Sequence, residues 1–412
     1  MLLVLRLAWR NVWRNPRRTG LTVAATVFAV FLVVFFVAMA AGIHEKMIED
    51  SVRVHSGHVT VTGEGYLENR TLEHYLVLDP ALRARLAGLP GVRGHAPRLT
   101  AFGLLSKDSA TQGAVVVGVD PGSEGSVSSL PQRLRRGRFV SPETPRGLVL
   151  GERLADNLGA ELGDSLLLYS VAYSLEMAYE LFDVVGVMRL PEPELDRSLA
   201  LVSLADAQEF FAYGDRVTEV ALLAEDGDAV GAVTAAARDA LAEHDGGRFE
   251  VHPWYELMPQ LEQLIFLDDA GMFLMLAILV VVVAFGILNT ILMSVLERTR
   301  ELGVLLALGL RPSAVFRLVY VESMLLAAVG LAIGMALAIP AVLWFQAHPV
   351  PLGEEMAGMM ELFGMEPVMT WKLKPLNPLG STLTIFAVAA LAATYPAWKA
   401  SRGRPVDALR SA

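Results

Sequence analysis

Residues 270–296 read AGMFLMLAILVVVVAFGILNTILMSVL and contain no Asp, Glu, Lys or Arg. A helix of about 20 apolar residues is long enough to cross the hydrocarbon core of a bilayer. Three other uncharged stretches of similar length lie at 19–43, 323–353 and 375–398. The sequence therefore predicts an α-helical membrane protein with four transmembrane helices.

A long polar segment, residues 44–269, separates the first two uncharged stretches. It carries 36 acidic and 19 basic residues and has no comparable apolar run. Val52–Thr62 alternates like a strand, whereas Glu152–Leu158 and Ala229–His244 read as helices. We predict a 1+3 arrangement of the transmembrane helices, with a large mixed α/β domain inserted between the first and the second.

The basic residues predict the orientation of the helices. The segments before the first helix, between the second and third, and after the fourth hold 13 basic residues against three acids. Cytoplasmic loops of membrane proteins carry such an excess of Lys and Arg. We therefore expect both termini in the cytoplasm, with residues 44–269 and the loop 347–378 outside. The outer domain is strongly acidic, so nucleic acid is not an expected partner.

The first 18 residues predict a short amphipathic helix at the membrane surface. Arg6, Arg10 and Arg14 recur every four residues, while Leu and Trp side chains share another face. Arginines at lipid phosphates and Trp rings at headgroup depth are typical of an interfacial helix. An anchor that only sets the topology is the alternative, and the first transmembrane helix is expected to be retained rather than cleaved.

The third transmembrane helix carries a carboxylate, Glu322, for which a hydrogen-bonding role is favoured over a transport role. The same helix carries Gly330 and Gly334, whose spacing permits close packing within the chain.

These observations divide the chain into nine segments. The predicted segments are an interfacial elbow helix 1–18, transmembrane helix 19–43, periplasmic domain 44–269, transmembrane helix 270–296, cytoplasmic coupling segment 297–316, transmembrane helix 317–346, periplasmic loop 347–378, transmembrane helix 379–398 and cytoplasmic tail 399–412.

The sequence offers few residues for chemistry. No cysteine is present, which excludes disulfides and thiolate metal sites. No Gly-Lys pair occurs, and a Walker-type phosphate loop requires one. His55 and His58 are poorly spaced for a metal, and the acidic residues of 192–196 lie beside prolines, where a solvated turn is expected. We predict no catalytic residue, no metal and no cofactor bound by this chain itself.

The most specific motif follows the second transmembrane helix. Residues 289–303 read NTILMSVLERTRELG, with LLALG at 305–309 and RPVDALR at 404–410. Together with the 1+3 topology, these residues resemble the FtsX-like permease domain of the MacB-type (type VII) ABC transporter superfamily. The resemblance implies that two permeases work with a dimer of separate ABC ATPase subunits, which bind the ATP and Mg²⁺.

The resemblance also implies that the cytoplasmic segment 297–316 transmits the motion of the ATPases. Its charges alternate in sign, which suits docking in a polar cleft of the ATPase. The alternative is that these charges set the topology and form ion pairs on the helix surface. The predicted ATPase-coupling residues are Glu297, Arg298, Arg300, Glu301, Gly309 and Arg311.

A narrower resemblance is visible in the outer domain. Residues 56–61 (SGHVTV), 184–187 (VVGV) and 193–199 (PELDRSL) are similar to lipoprotein-releasing permeases of the LolC/LolE type. That resemblance implies a cavity for acyl chains between the outer ends of helices one and two. These ends are rich in Met and Phe, and contact with lipid or with other helices is the alternative for each residue. The predicted cargo-cavity residues are Met39, Ile43, Met47, Phe266, Met272, Phe273 and Met275.

The two resemblances predict the permease subunit of an ABC transporter in the inner membrane of a diderm bacterium. Its predicted task is to extract lipoproteins from the membrane and to pass them to a periplasmic carrier. The alternatives are efflux of a peptide or drug through a periplasmic adaptor, and signalling to a cell-wall hydrolase. The expected partners are the ATPase dimer, a second permease (an identical copy or a LolC/LolE-like sister), the carrier or adaptor, and membrane lipids.

Overall fold

The computed structural model describes residues 10, 16–54, 56–242, 248–353, 357 and 367–402. Two compact units divide the chain. The membrane unit comprises the described residues of Met1–His44, Leu264–Pro351 and Val368–Ala412, and the outer unit those of Glu45–Gln263 and Leu352–Pro367. Most of the predicted elbow helix, His55 and the tail beyond Arg402 lie outside the described residues.

Long helices at both ends of the described chain enclose a middle part in which strands and short helices alternate. The helices are α1 (Pro16–Val52), α2 (Pro80–Ala87), α3 (Glu124–Val127), α4 (Glu152–Leu158), α5 (Pro193–Ser198), α6 (Leu204–Phe210), α7 (Val230–Ala242), α8 (Trp254–Leu257), α9 (Pro259–Glu297), α10 (Thr299–Ala307), α11 (Pro312–Ala347) and α12 (Leu376–Ser401). The strands are β1 (Val59–Gly63), β2 (Leu76–Val77), β3 (Val92–Lys107), β4 (Ala110–Val119), β5 (Leu134–Gly137), β6 (Gly147–Gly151), β7 (Ser165–Val171), β8 (Met177–Met188), β9 (Leu199–Ser203), β10 (Arg216–Val217), β11 (Glu219–Ala224), β12 (Phe249–Pro253), β13 (Val350–Pro351) and β14 (Val368–Met369).

In the described part of the chain, four helices (α1, α9, α11 and α12) are long and apolar enough to cross a membrane. The first of them continues past the uncharged stretch to Val52. Its polar end is stabilised by ion pairs one turn apart, such as Lys46 with Asp50 at 2.8 Å. The predicted strand Val52–Thr62 is therefore wrong in its first half, and β1 begins only at Val59.

Prolines set the starts of two membrane helices. The short helix α8 does not continue into the second membrane helix, because Met258 leaves the helical conformation (φ −125°, ψ 63°) and Pro259 opens α9. Pro312 likewise opens α11, five residues before the predicted start at 317. Proline suits the first turn of a helix, where its missing N–H costs no hydrogen bond.

Two glycines bring α11 close to α1. A Cβ added to Gly330 would lie 2.6 Å from the Cβ of Thr26, and one added to Gly334 would lie 2.7 Å from the Cβ of Val30. Any larger side chain would push the helices apart, so the predicted close packing within the chain is confirmed. The apolar core around this crossing consists of Val30, Val33, Val34, Ala38, Leu331, Ala338, Val342, Trp371 and Ile385.

A ten-stranded mixed sheet forms the frame of the outer unit. Its order is β12-β1-β11-β3-β4-β9-β6-β8-β5, and β7 pairs with both β3 and β8. The pairs β4–β9 and β6–β8 are parallel, whereas the other pairs of this sheet are antiparallel. Helices cover the sheet over its two largest apolar clusters, so the domain is mixed α/β as predicted. The first cluster includes Leu99, Leu148, Phe182 and Phe211, and the second includes Val59, Leu82, Val220 and Val233.

The acidic run 192–196 differs from its prediction at one residue. Glu192 and Glu194 are exposed, but Asp196 is only 2% exposed. Its carboxylate accepts hydrogen bonds from the backbone N–H groups of Leu190 (2.9 Å) and of two residues at the start of α4 (3.3 and 3.1 Å). The predicted solvated turn is wrong for Asp196, because a carboxylate at the N-terminus of a helix satisfies donors that have no partner within the helix.

Candidate coupling and cargo sites

A single residue separates the second membrane helix from the helix of the predicted coupling segment. The helix α9 ends at Glu297 and α10 begins at Thr299, so Arg298 (φ −104°, ψ 13°) is the only residue between them. Leu302 and Gly303 of α10 are buried, and Leu302 packs against the inner ends of the other helices. Gly309, two residues after the end of α10, has φ +90°, a left-handed conformation in which other residues are strained.

The six predicted coupling residues fall into two groups. Four of them, Glu297, Arg300, Gly309 and Arg311, are exposed. Arg298 and Glu301 are half-buried, and the Nε of Arg298 lies 3.2 Å from the Oε2 of Glu301. The exposed group is accessible to a partner, whereas Arg298 points into the helix bundle.

The guanidinium of Arg298 reaches Glu322 on α11. Its Nη1 lies 3.1 and 3.0 Å from the two carboxylate oxygens of Glu322. The Arg298 side chain is 18% exposed and that of Glu322 is 7% exposed. A small cavity of about 20 Å³ adjoins the pair, which is room for about one water molecule. The residues that line it include four with hydroxyl groups, namely Thr22, Thr290, Ser294 and Ser323.

The seven predicted cargo residues do not form one surface. Met39 packs against the apolar core of the membrane unit, and Ile43, Met47 and Met272 are partly buried. By contrast, Phe266 and Phe273 on α9 are 71% and 75% exposed, and Met275 is also exposed. Within the described part of the chain, the outward-facing members of this set all lie on α9.

A hydrogen-bonded contact joins α1 and α9. The Nε2 of His44 lies 2.6 Å from a carboxylate oxygen of Asp268, and its Nδ1 lies 3.3 Å from one of Asp269. The sequence reasoning missed this contact. The only sequence signal is that all three residues immediately flank the uncharged stretches, which by itself does not pair them.

The outer unit carries an exposed apolar groove that the sequence reasoning also missed. It has a volume of about 1070 Å³. Phe102 and Leu104 of β3 contribute to it, together with Val171, Leu175 and Met177 from the β7–β8 hairpin, and each of these side chains is about half exposed or more. Exposed apolar surface of this extent is typical of a contact site.

Arg216 supports the tip of the β7–β8 hairpin beside this groove. Its guanidinium lies 4.8 Å from the ring centres of both Tyr75 and Tyr173. A cation over the face of an aromatic ring is attracted by the electron density of that face. The hairpin is therefore held to the rest of the outer unit through Tyr173, which also lines the groove, while apolar residues such as Leu175 remain exposed.

His58 has a structural setting. It is 5% exposed, its backbone N–H donates to the carbonyl of Leu222 (2.9 Å), and its own carbonyl accepts from Trp254 (2.9 Å). Burial lowers the pKa of His58 below its usual 6.5, although Glu49 opposes this shift. Among the residues that the structure describes, there is no group of three or more His, Asp or Glu suited to a metal ion.

Two family models match the chain. The MacB-like periplasmic core domain matches residues 19–240, which is more than half of the sequence. The FtsX-like permease C-terminal domain matches residues 273–405. The two matches cover the first membrane helix with most of the outer unit, and then the three remaining membrane helices.

Similar proteins include lipoprotein-releasing permeases. The lipoprotein-releasing system transmembrane protein LolC of Xylella fastidiosa is 27% identical over 376 residues, covering 89% of this chain and 87% of that protein. LolC of Neisseria meningitidis is 24% identical and covers 78% of both. The macrolide export ATP-binding/permease protein MacB of Salmonella paratyphi A is 34% identical, but over only 33% of this chain and 18% of that protein.

Solved structures add little. The crystal structure of the periplasmic region of MacB from Actinobacillus actinomycetemcomitans covers 53% of this chain and 98% of that chain, with 15% identity and a TM-score of 0.38. The assignment therefore rests on the family models and on the sequence relatives. The chain belongs to the family of ABC transporter permeases that combine a MacB-like periplasmic core domain with an FtsX-like permease domain.

Proposed function

We propose that this chain is the permease subunit of an ABC transporter that extracts lipoproteins from the inner membrane and passes them to a periplasmic carrier. The observation that carries the proposal is the extent of the match to LolC, which takes in 89% of this chain. The MacB match is limited to 33% of the chain and does not favour efflux over lipoprotein release.

The transporter needs an energy source outside this chain. A dimer of ABC ATPase subunits binds ATP and Mg²⁺ and contacts the cytoplasmic face of two permeases. The exposed residues Glu297, Arg300, Gly309 and Arg311 lie in α10 or beside its ends and suit this contact, because charged and flexible groups are accessible there. The second permease is an identical copy or a LolC/LolE-like sister.

The outer surface supplies two apolar sites. Phe266, Phe273 and Met275 expose apolar surface on α9 at the outer end of the membrane unit, where acyl chains of a lipoprotein can lie. The groove at Leu175 on the outer unit suits contact with the carrier, since it offers apolar surface that faces water. In this proposal the outer unit lies in the periplasm.

Reconstitution tests the proposal. The chain, its ATPase and its second permease are placed in proteoliposomes with a triacylated lipoprotein, and release into the supernatant is measured with ATP and a carrier. ATP-dependent release is the expected result. Release of a soluble peptide or drug, with the lipoprotein retained, would favour efflux instead.

The ATPase contact is tested separately by charge reversal. Arg300→Glu and Arg311→Glu should lower recruitment of the ATPase, because reversal replaces attraction by repulsion at a docking surface. Arg317→Glu is the matched control, since Arg317 is also an exposed arginine on the cytoplasmic side but lies outside the proposed contact. If Arg300→Glu and Arg311→Glu recruit the ATPase as well as Arg317→Glu does, the proposed docking surface is contradicted.

A further inference from the structure

The pairing of Arg298 with Glu322 is unusual in its position in the fold. Arg298 is the one residue between α9 and α10, so it occupies the point where the two helices can bend relative to each other. Its Nε donates to Glu301 of α10 (3.2 Å), but its side chain also extends beyond these two helices. It reaches a third helix, α11, at a residue about 15 Å from the start of that helix at Pro312.

The surroundings of the pair indicate that the contact is built into the bundle. A carboxylate on an otherwise apolar membrane helix is costly unless it is paired. Glu322 is 7% exposed, and Nη1 of Arg298 contacts both of its oxygens. Hydroxyl-bearing residues from α1, α9 and α11 (Thr22, Thr290, Ser323) line the adjoining cavity and provide a polar environment.

An apolar contact lies beside the ion pair, but it leaves the angle between α9 and α10 free to change at Arg298. Leu302 of α10 packs with Val315 of α11 and Ala397 of α12. Apolar packing of this kind is non-directional, so it holds the helices together without fixing the angle between them. The contact of Nη1 of Arg298 with both oxygens of Glu322 is directional, so the ion pair constrains the angle that the apolar packing leaves open.

We propose that Arg298 is a positioning residue. By binding Glu322 of α11, it fixes the angle between α9 and α10. A displacement of α10 by the ATPase is then transmitted to α11, and is not absorbed by bending at residue 298. This inference rests on the proposed function, and it moves Arg298 from the docking surface of the ATPase to the interior of the permease.

The test compares four variants in the reconstituted complex. Glu322→Gln and Arg298→Gln remove one charge each, and Arg298→Glu combined with Glu322→Arg exchanges the two charges. Arg317→Gln is the matched control, because it removes an exposed arginine from α11 whose Nε donates to a backbone carbonyl of its own helix (3.2 Å). ATPase recruitment, ATP hydrolysis and lipoprotein released per ATP are measured for each.

The expected result separates recruitment from coupling. The two single-charge variants should recruit the ATPase and hydrolyse ATP like the parent, but release about tenfold less lipoprotein per ATP. The exchange variant should recover most of the lost release, which a docking role does not predict, and parent-like recruitment and hydrolysis in the single-charge variants exclude a folding defect. Full release per ATP in Glu322→Gln, or loss of ATPase recruitment in Arg298→Gln without recovery on exchange, would overturn the inference.

A second measurement keeps this test independent of the cargo. The chain contains no cysteine, so spin labels can be attached through cysteines at the exposed residues Leu308, just after α10, and Leu343 in α11. The ATP-driven change in their distance should be present in the parent and reduced in Glu322→Gln. If the parent releases no lipoprotein but this difference is seen, the proposed cargo fails and the positioning role stands. An unchanged distance response in Glu322→Gln overturns the positioning role.

Discussion

Replacing Phe273 by Asp should weaken cargo binding without unfolding the protein. Phe273 is 75% exposed, so the substitution removes little buried apolar surface. It lies four residues, or about 6 Å of helix, beyond Asp269 and thus near the membrane surface. A carboxylate at this depth should disfavour a bound acyl chain by about 2–3 kcal/mol, which corresponds to about 30- to 160-fold weaker binding.

The assay combines photo-crosslinking with a stability measurement. A photoreactive side chain at the neighbouring residue Phe266 should capture a triacylated lipoprotein in the nucleotide-free complex, and capture should fall in Phe273→Asp. Phe273→Leu, which keeps an apolar side chain, should bind like the parent. Met39→Asp provides the contrast, because Met39 packs against the core and its substitution should lower the melting temperature. Parent-like capture by Phe273→Asp, or a melting temperature lowered as much as that of Met39→Asp, would refute the reasoning.

Four further outcomes can be measured. Gly330→Val should lower the stability of the detergent-solubilised protein by about 1–3 kcal/mol, because even a Cβ there lies 2.6 Å from a side chain of α1; a denaturation curve like that of the parent would contradict this. The pKa of His58 is lowered in the folded state, so stability should fall as the pH drops below 6.5, where the unfolded chain binds the extra proton, and His58→Gln should flatten that dependence in melting curves between about pH 7.5 and 5.5. A cysteine at the exposed Ser174 should react with an impermeant maleimide in intact spheroplasts, whereas one at the exposed Ser313 should react only after permeabilisation, and the opposite pattern would reverse the topology. Leu175→Asp, at a side chain that is 80% exposed, should weaken carrier binding at least about tenfold while ATP hydrolysis is retained, and unchanged carrier affinity would remove the groove from the proposed contact.

The membrane helices were predictable because their signal does not depend on tertiary structure. In a bilayer, the backbone N–H and C=O groups of a single long uncharged segment have no water to bind. Such a segment therefore forms a helix, in which all backbone hydrogen bonds are internal. Where the helices end was less predictable. The polar residues after Ile43 lead into Val52–Thr62, in which apolar and polar residues alternate as in a strand. Ion pairs such as that between Lys46 and Asp50 extend α1 to the first residue of this segment. Contacts of this kind require a spacing of four residues, which a search for alternation does not examine.

The candidate sites were predictable to the extent that a residue type alone is informative. A carboxylate in an apolar helix indicated a paired role for Glu322, and glycines four residues apart indicated the crossing of α11. The partner of Glu322 could not be identified, because Arg298 is 24 residues away and lies in a run of charges that are mostly exposed. The outer groove was missed for a related reason, since the exposure of Phe102 and Leu175 depends on how β3 and the β7–β8 hairpin pair within the sheet.

The length of α1 gives the protein a mechanical property. Its 37 residues span about 55 Å, well beyond the roughly 30 Å of the hydrocarbon core. From Val30, at the glycine crossing, to His44, the last residue of α1 in the membrane unit, the helix extends about 21 Å, so a tilt of about 5° about that crossing would move His44 by about 2 Å. The two glycines of α11 therefore set the point about which α1 can tilt. Side chains introduced at these glycines should alter how far His44 moves, as well as the stability of the protein.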